Sequence, residues 1–313
     1  WESEYIYSKG GRRVQVRHLS GEGWRLVFKV EGLSYRYPRN TEDTLRGISF
    51  EFGEGEIFGF LGPSGAGKST TQKVLIRLLK GYRGTIMHKG CDLRTYGQDF
   101  FNDIGVGFEM PVHFSKLTAM ENLSFYTKLY RQTADVEGLL QRVGLWEDRN
   151  KRVGEFSKGM KIRLNFVRAM LNNPKILFLD EPTNGLDPRN ARVIKDLIHE
   201  FKQAGGTVFL TTHLMHDADE LCDRVAFIAD GEIREIDSPN NLKLRFGERL
   251  VTVEYNEREG DDGRVKESFD MNTLGTNERF FDILRTKEIV TIHSGETTLD
   301  DIFIRVTGVK LVE

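Results

Sequence analysis

The sequence predicts an α/β protein whose largely parallel β-sheet is covered by helices, with a small α+β module after it. The first observation is that short apolar runs alternate with amphipathic segments over about residues 29–236, the pattern of parallel strands joined by helices. The run 57–61, for example, has strand length, and apolar residues recur at helical spacing over 193–201. The second observation is the change after that region, where strand-like segments occur at 250–255 and 288–293.

These changes divide the chain into three predicted regions. Residues 1–28 form an N-terminal extension, 29–236 the main domain, and 237–313 a C-terminal accessory α+β domain. In the extension, Tyr5 to Tyr7, the turn Lys9-Gly10-Gly11 and the alternating valines after it predict a β-hairpin. Two interpretations stay open for its basic residues, contact with anionic lipid or plain solvation: Arg12, Arg13, Arg17 and His18.

Composition excludes several classes of protein. Of 313 residues, 39% are apolar, which is enough to bury a core, and 45 Lys and Arg stand against 47 Asp and Glu. The net charge of -2 argues against a main affinity for the nucleic acid backbone, which usually shows as a basic excess. The longest apolar runs, such as 176–179, have only strand length, so we expect no membrane-spanning segment. Cys91 and Cys222 cannot form a disulfide framework, and we expect ordinary thiols in a reducing, cytosolic setting.

Residues 62–69 match the phosphate-loop pattern GxxxxGK[ST], between a buried-type strand and a helix. That helix is predicted to carry Leu75 and Leu78 on its apolar face and to end at a cap at Gly81. Glycines in such a loop let backbone N–H groups point at phosphate oxygens, and the helix N-terminus adds partial positive charge. The lysine reaches the outer phosphates and the serine hydroxyl suits Mg2+. The motif indicates a nucleoside triphosphate site formed by Gly62, Pro63, Ser64, Gly65, Ala66, Gly67, Lys68, Ser69 and Thr70.

A second apolar run, 176–179, ends in two adjacent carboxylates, Asp180 and Glu181. Asp180 is placed at the strand end to hold the Mg2+ shell. Glu181, one residue later, points to the other face and can polarise an attacking water. Adjacent acids could merely cap the strand at the surface, but the large apolar residues before them favour a site.

With these motifs the sequence resembles the nucleotide-binding subunits of ATP-binding-cassette (ABC) transporters over about residues 29–236. Tyr37, 25 residues before Gly62, matches the aromatic that stacks on adenine, and Tyr35 is the less favoured candidate. Three further motifs follow in the family's order: Phe-Ser-Lys-Gly-Met at 156–160 in the signature position, Asn-Gly-Leu-Asp at 184–187 after the catalytic glutamate, and Thr-Thr-His at 211–213 with the switch histidine.

The resemblance implies a P-loop NTPase ABC cassette, with a RecA-like core, a helical subdomain and an antiparallel β subdomain, here followed by the small α+β C-terminal domain. It implies hydrolysis of ATP with Mg2+ in a composite site between two nucleotide-binding subunits, in a homo- or heterodimer. Within one subunit, His213 would hold the γ-phosphate and orient water. The facing subunit would supply Ser157, Gly159 and the start of a helix, whose dipole and backbone donors stabilise γ-phosphate charge when the dimer closes.

The sequence departs from the family pattern at two places in the site. Glu109 stands where the family carries a glutamine that offers its carbonyl oxygen to Mg2+. Because a carboxylate is also a hard ligand, our hypothesis is that Glu109 binds Mg2+ together with Ser69 and Asp180 and senses the membrane partner. In the signature, Lys158 replaces a glycine and Met160 a glutamine. Lys158 either adds positive charge near the opposite nucleotide or points to solvent.

The signature and the closing segment 297–308 look like those of the drug- and sodium-exporter branch. This resemblance predicts an ATP-hydrolysing subunit that powers export through a separate integral membrane permease. It would bind peripherally at the cytoplasmic face of the membrane, with no nucleic acid partner. The alternative is a soluble, non-transport ABC ATPase that acts on a ribosome or another macromolecule. A single cassette, with only about 90 residues between Lys68 and Ser157, disfavours translation-factor and coiled-coil repair ATPases. Glu181 and His213 disfavour a purely regulatory module.

Overall fold

The computed structural model describes residues 5–9, 12–16, 25–110, 112–247, 250–257, 264–295 and 297–309, with side chains from residue 25 onward. The strands of these ranges are β1 (Tyr5–Lys9), β2 (Arg12–Val16), β3 (Leu26–Tyr35), β4 (Leu45–Gly53), β5 (Ile57–Leu61), β6 (Arg83–His88), β7 (Cys91–Asp92), β8 (Ile104–Gly107), β9 (Ile176–Asp180), β10 (Thr207–Thr212), β11 (Arg224–Ala229), β12 (Glu232–Asp237), β13 (Leu250–Asn256), β14 (Arg264–Asp270) and β15 (Glu288–Gly295). The α-helices are α1 (Lys68–Leu75), α2 (Phe100–Asp103), α3 (Ala119–Thr127), α4 (Val136–Arg142), α5 (Lys158–Met170), α6 (Pro188–Gln203), α7 (Met215–Leu221), α8 (Pro239–Phe246), α9 (Glu278–Thr286) and α10 (Leu299–Thr307).

The chain divides into two compact units after Pro239, and the second covers Asn240–Gly308. No α-helix in the described ranges is long and apolar enough to cross a membrane. Within the first unit, β1 and β2 pair antiparallel, with the register of a hairpin. Its turn residues 10–11, the side chains of its two arginines, and residues 17–18 lie outside the described residues.

A six-stranded sheet in the order β12-β11-β5-β10-β9-β8 forms the centre of the first unit. Five of its strands run parallel and β12 pairs antiparallel with β11 at the edge. Because parallel strands end at the same edge of a sheet, the segments after β5, β8, β9 and β10 converge there. Those segments carry the phosphate loop, Glu109, Glu181 and His213. The topology thus brings the predicted site together.

A second sheet, antiparallel and in the order β4-β3-β6-β7, packs its phenylalanines against the central sheet. Phe50 of β4 stacks on Phe58 of β5 with 5.8 Å between ring centres. Phe209 of β10 lies 5.4 Å from Phe60 in the same cluster. Aromatic pairs at such distances add to the free energy gained by burying their area. This aromatic layer supports the strand that leads into the phosphate loop.

The helices α3, α4 and α5 form the predicted helical subdomain. Thr118 and Glu121 cap α3 reciprocally, each side chain accepting a hydrogen bond from the other residue's backbone N–H. Ser157 caps α5 by accepting a hydrogen bond from the Met160 N–H at 3.2 Å. Together with the two sheets, this subdomain confirms the predicted α/β class with helical and antiparallel β subdomains.

The helix after the phosphate loop is shorter than the sequence predicts. Apolar spacing predicted a helix that continues to Gly81, but α1 ends at Leu75. The backbone of Arg77 adopts a left-handed conformation with φ 61°, which a helix cannot accommodate. Leu78 consequently lies 59% exposed instead of in the core.

The second unit is a three-stranded antiparallel sheet, in the order β14-β13-β15, with α9 on one face. Alternate residues of β13 point inward, including Val253 and Tyr255, and pack with Phe280 and Ile283 of α9. This is the expected period of two against a helix face. The sequence analysis predicted the strands at 250–255 and 288–293 but did not place β14 or α9.

Candidate functional site

A cleft of about 1070 Å3 opens where the central strands end. Among the residues predicted for the site, those that line it are Tyr37, Ser64, Gly65, Gly67, Lys68, Ser69, Thr70, Glu109, Glu181 and His213. Gly62, Pro63 and Ala66 complete the phosphate loop beneath this lining, and Asp180 lies behind Ser69. Ser157 and Gly159 do not line the cleft. The resemblance assigned these two residues to the nucleotide of a facing subunit.

The phosphate loop owes its shape to two glycines in particular. Gly67, which precedes α1, has φ 110°, a conformation open to glycine and rare for other residues. A Cβ on Gly62 would lie 2.1 Å from the Ile228 carbonyl oxygen, so any side chain there would displace the loop. No side chain caps α1, and its first turn holds no acid. The first N–H groups of the helix and its positive end therefore stay available to an anion.

Lys68 is 7% exposed and folds back over this loop. Its ammonium donates to the carbonyl oxygens of Gly62 at 2.6 Å and Pro63 at 3.1 Å. It also lies 3.8 Å from Glu181 Oε1. Burial lowers the pKa of Lys68, while the charges of Glu181, Asp180 and Glu109 act to raise it. A buried cation faced by several acids suits a polyanion accompanied by a metal.

Ser69 and Asp180 form the part of the site suited to a divalent cation. The Ser69 hydroxyl donates to Asp180 Oδ1 at 3.0 Å, and the Thr211 hydroxyl donates to the same oxygen. Asp180 is only 6% exposed. Glu109 is exposed at the rim of the same cleft, after β8. Hydroxyl and carboxylate oxygens are the hard ligands that Mg2+ prefers, so the donor set fits this ion.

Glu181 and His213 form a hydrogen-bonded pair in the cleft. His213 Nδ1 lies 2.8 Å from Glu181 Oε1, and the Thr212 hydroxyl donates to Glu181 Oε2 at 2.9 Å. Glu181 is 6% exposed, with φ 50°, a strained value for a residue with a side chain. The Glu181 N–H donates to the Thr211 carbonyl at 2.9 Å, which holds this backbone in place. These contacts fix the carboxylate in the cleft, in a position suited to accepting a proton.

Tyr37, and not Tyr35, reaches the cleft. The Tyr37 hydroxyl lies 3.3 Å from Thr70 Oγ1, and its ring is among the lining residues. Tyr35 is buried, with 7% exposure, and packs edge-to-face on Tyr37 with 5.1 Å between ring centres. The geometry therefore supports Tyr37 as the surface for a base.

One wall of the cleft was not predicted from the sequence. The segment between β3 and β4 contributes several polar and charged residues: Arg39, Asn40, Thr41, Glu42, Asp43 and Thr44. Asp43 is held by Arg83 at 2.5 Å and by Arg36 at 3.1 Å. The available signal was a dense polar run directly after Tyr37. It resembles an ordinary loop, and so the sequence alone did not single it out.

Comparison with known proteins agrees with this geometry. Residues 45–184 match the family described as ABC transporter, and residues 249–296 match the family described as fluoroquinolone efflux ABC transporter C-terminal domain. A fluoroquinolones export ATP-binding protein of Mycobacterium tuberculosis is 51% identical over 287 residues, covering 91% of this chain and 94% of the relative. The bacitracin transport ATP-binding protein of Bacillus licheniformis is 30% identical over 302 residues, covering 90% and 97%.

Solved structures show the same fold. The ATP-binding subunit of an ABC transporter superposes with a TM-score of 0.64 at 28% identity, over 71% of this chain and 93% of that one. An ATP-binding cassette solved as a dimer with ADP and phosphate gives a TM-score of 0.61 at 26% identity, over 67% and 98%. The chain belongs to the ABC transporter family, as one of its ATP-binding cassette ATPases.

Proposed function

We propose that this chain is the ATP-hydrolysing subunit that powers an ABC exporter through a separate integral membrane permease. The observation that carries the proposal is the Glu181 carboxylate, held between His213, Thr212 and Lys68 opposite the Ser69–Asp180 pair. The names of the relatives support export: fluoroquinolones and bacitracin in those described above. They favour this function over a soluble ATPase that acts on a ribosome or another macromolecule.

In this proposal the chain binds Mg2+ and ATP with the residues that the cleft brings together. Ser69, Asp180 and Glu109 hold the metal, which when bound neutralises phosphate charge. Lys68 and the N–H groups of the phosphate loop bind the phosphates, and Tyr37 stacks on the base. Positioning and charge stabilisation of this kind supply most of the catalysis in phosphoryl transfer.

Hydrolysis then depends on the Glu181 carboxylate and on His213. Glu181 accepts a proton from the attacking water, and its own oxygens are held by Thr212 and His213. His213, with 37% of its side chain exposed, orients that water and the γ-phosphate. Ser157 and Gly159 of a second nucleotide-binding subunit complete the site when the dimer closes, so turnover depends on dimerisation.

An exposed apolar surface between β8 and α3 supports the permease partner. Met110 is 81% exposed and Val112 77%, and exposed patches of large apolar side chains mark contacts with a protein or a membrane. Phe114 packs on Phe125 of α3 with 5.2 Å between ring centres, and both rings, like Leu129 of the segment after α3, are exposed. We propose that the permease docks on this surface, which adjoins Glu109. The chain would then lie peripherally at the cytoplasmic face of the membrane.

The proposed domain organisation keeps the predicted boundaries: 1–28, 29–236 and 237–313. The family match over 249–296 falls within the last region. It supports a C-terminal domain shared with efflux proteins, distinct from the cassette that carries the ATP site.

The test is to solubilise native membranes gently, capture this chain and identify what accompanies it. A stoichiometric polytopic membrane protein is the expected result. In the same complex, Glu181→Gln should retain ATP binding and lose at least about 100-fold in turnover, the lower end of the range for a general base. Capture of ribosomal proteins, or of nothing, would refute the exporter. Full turnover in Glu181→Gln would refute the assigned base.

A further inference from the structure

The start of α5 contacts a loop of its own chain. α5 begins at Lys158, directly after its cap Ser157. The Lys158 side chain lies on Gly185, in the loop that follows Glu181. A Cβ built on Gly185 would be only 2.8 Å from both Cε and Nζ of Lys158. The end of the Lys158 side chain, from Cδ to Nζ, therefore fills the space that a side chain at position 185 would need.

The next residue of α5 lies close to the same loop. A Cβ built on Gly159 would lie 3.4 Å from Leu186 Cδ2, an ordinary van der Waals distance. Two consecutive residues of the helix thus meet two consecutive residues of the loop. Lys158 is exposed, and its ammonium pairs with no group in the part of the chain that the structure describes. The side chain therefore meets the loop by van der Waals packing and not through an ion pair.

The loop is anchored at its other end to the segment behind His213. The Thr183 hydroxyl donates to Asp217 Oδ2 at 2.5 Å, and Asp217 pairs with Lys195 at 2.8 Å. Asp217 belongs to α7, which starts two residues after His213. Within the loop, the Leu186 N–H donates to the Thr183 carbonyl at 3.1 Å, which closes the turn between the two contacts.

We propose that Lys158 is a positioning residue whose aliphatic stem holds the loop 182–187 against the start of α5. The inference rests on the proposed function, in which Ser157 and Gly159 face the nucleotide of the other subunit. In that dimer, the start of α5 faces the nucleotide of the other subunit, and the loop 182–187 follows Glu181 of its own ATP site. The Lys158 contact joins these two segments within one subunit. Rearrangement at one ATP site is thereby passed to the other.

Amide hydrogen exchange on the full chain tests the contact without activity. Lys158→Ala removes the stem, Lys158→Met keeps the stem without the charge, and Lys161→Ala removes an equal charge from the same turn of α5. We expect exchange over 184–186 to rise about threefold or more in Lys158→Ala alone, because an unpacked turn opens more often. Unchanged exchange in Lys158→Ala would overturn the proposal. Equally fast exchange in Lys158→Met would overturn the role of the stem.

Steady-state ATPase kinetics of the assembled transporter test the consequence. Lys158→Ala should lower kcat about fivefold, leave the KM for ATP within about twofold, and bring the Hill coefficient towards one, since positioning acts after binding. Lys158→Met should restore the kcat and the Hill coefficient of the parent. A raised KM with unchanged kcat would show direct contact with nucleotide and overturn the proposal. If the unmodified complex itself lacked ATPase activity, the proposed function would fail, whereas the exchange result would still decide the contact.

Discussion

The two helices that begin at the ATP site motifs, α1 and α5, start in opposite ways. α1 follows Gly67, which offers no side-chain cap, whereas α5 follows Ser157, whose hydroxyl accepts a hydrogen bond from the Met160 N–H. Both open with a lysine, and neither has an acid in its first turn. Since acids are the residues that ordinarily stabilise a helix N-terminus, both ends keep their positive potential.

The two helix starts differ in where their first lysine lies and in which group can reach the helix end. Lys68 is 7% exposed and lies on its own loop, so the anion site of α1 is complete within one chain. Lys158 is exposed and rests on Gly185, so α5 turns its first residues outward. An uncapped helix start leaves N–H groups free for phosphate, while a capped one gives a stable edge to present to a neighbour.

The largest effect should come from Lys68→Ala. Removing a buried cation from the phosphate contacts should weaken ATP binding about 100-fold, as loss of one partner of a desolvated charge pair does. Isothermal titration with ATP and Mg2+ measures this. Lys161→Ala, in the first turn of α5, is the control and should leave affinity within about twofold. Equal losses of ATP affinity in both variants would mean that the affinity depends on total positive charge and not on the position of Lys68.

Buried amides in the two helix interiors should respond with opposite signs. Asn165 of α5 donates to the Phe108 carbonyl at 2.8 Å and accepts from Arg168 at 2.7 Å. Gln72 of α1 is 1% exposed, and neither end of its amide has a partner among the described residues. We expect Asn165→Leu to lower the free energy of unfolding by about 2 kcal/mol, and Gln72→Leu to raise it by about 1 kcal/mol. Urea unfolding measures both, and a loss in Gln72→Leu would contradict the assignment.

Removing the cap of α5 should cost less. Ser157→Ala leaves the Met160 N–H without its acceptor, and we expect a loss of about 1 kcal/mol in the free energy of unfolding. Ser157→Asn retains a capping oxygen and should stay within about 0.3 kcal/mol of the parent. Thermal denaturation of the matched pair decides the point, since equal losses would exclude the cap as the cause.

The smallest expected effect is a change in ATP affinity at alkaline pH, caused by deprotonation of Lys68. Burial lowers the pKa of this ammonium below its ordinary value of 10.5, against the acids around it. Phosphate binds the charged form of Lys68. ATP affinity should therefore be highest at neutral pH, where Lys68 is protonated, and should fall as pH rises through that lowered pKa. Binding measured from pH 7 upward should therefore fall in the parent before pH 10.5. Lys68→Arg, which stays protonated, should give a flat profile over the same range.

Features that depend on residues close together in sequence were predicted better than features that depend on distant residues. The phosphate loop and the strand before Asp180 are local patterns, each complete within about ten residues, so the sequence predicts them well. The predicted end of α1 was wrong, because the left-handed backbone of Arg77 ends the helix although the apolar spacing continues to Leu79. The sequence already favoured Tyr37 over Tyr35, and the packing of the two rings supports that choice.

The α/β class and the residue types at each strand end follow from the order of residues along the chain. Their spacing reflects backbone geometry, which is local. That Asp180 accepts from both Ser69 and Thr211, and that Lys158 lies on Gly185, depends on the folded arrangement of the whole unit. Those contacts join residues far apart in sequence, and strand order and helix packing bring them to within bonding distance. No periodicity encodes such distances, because they depend on how all the intervening elements pack.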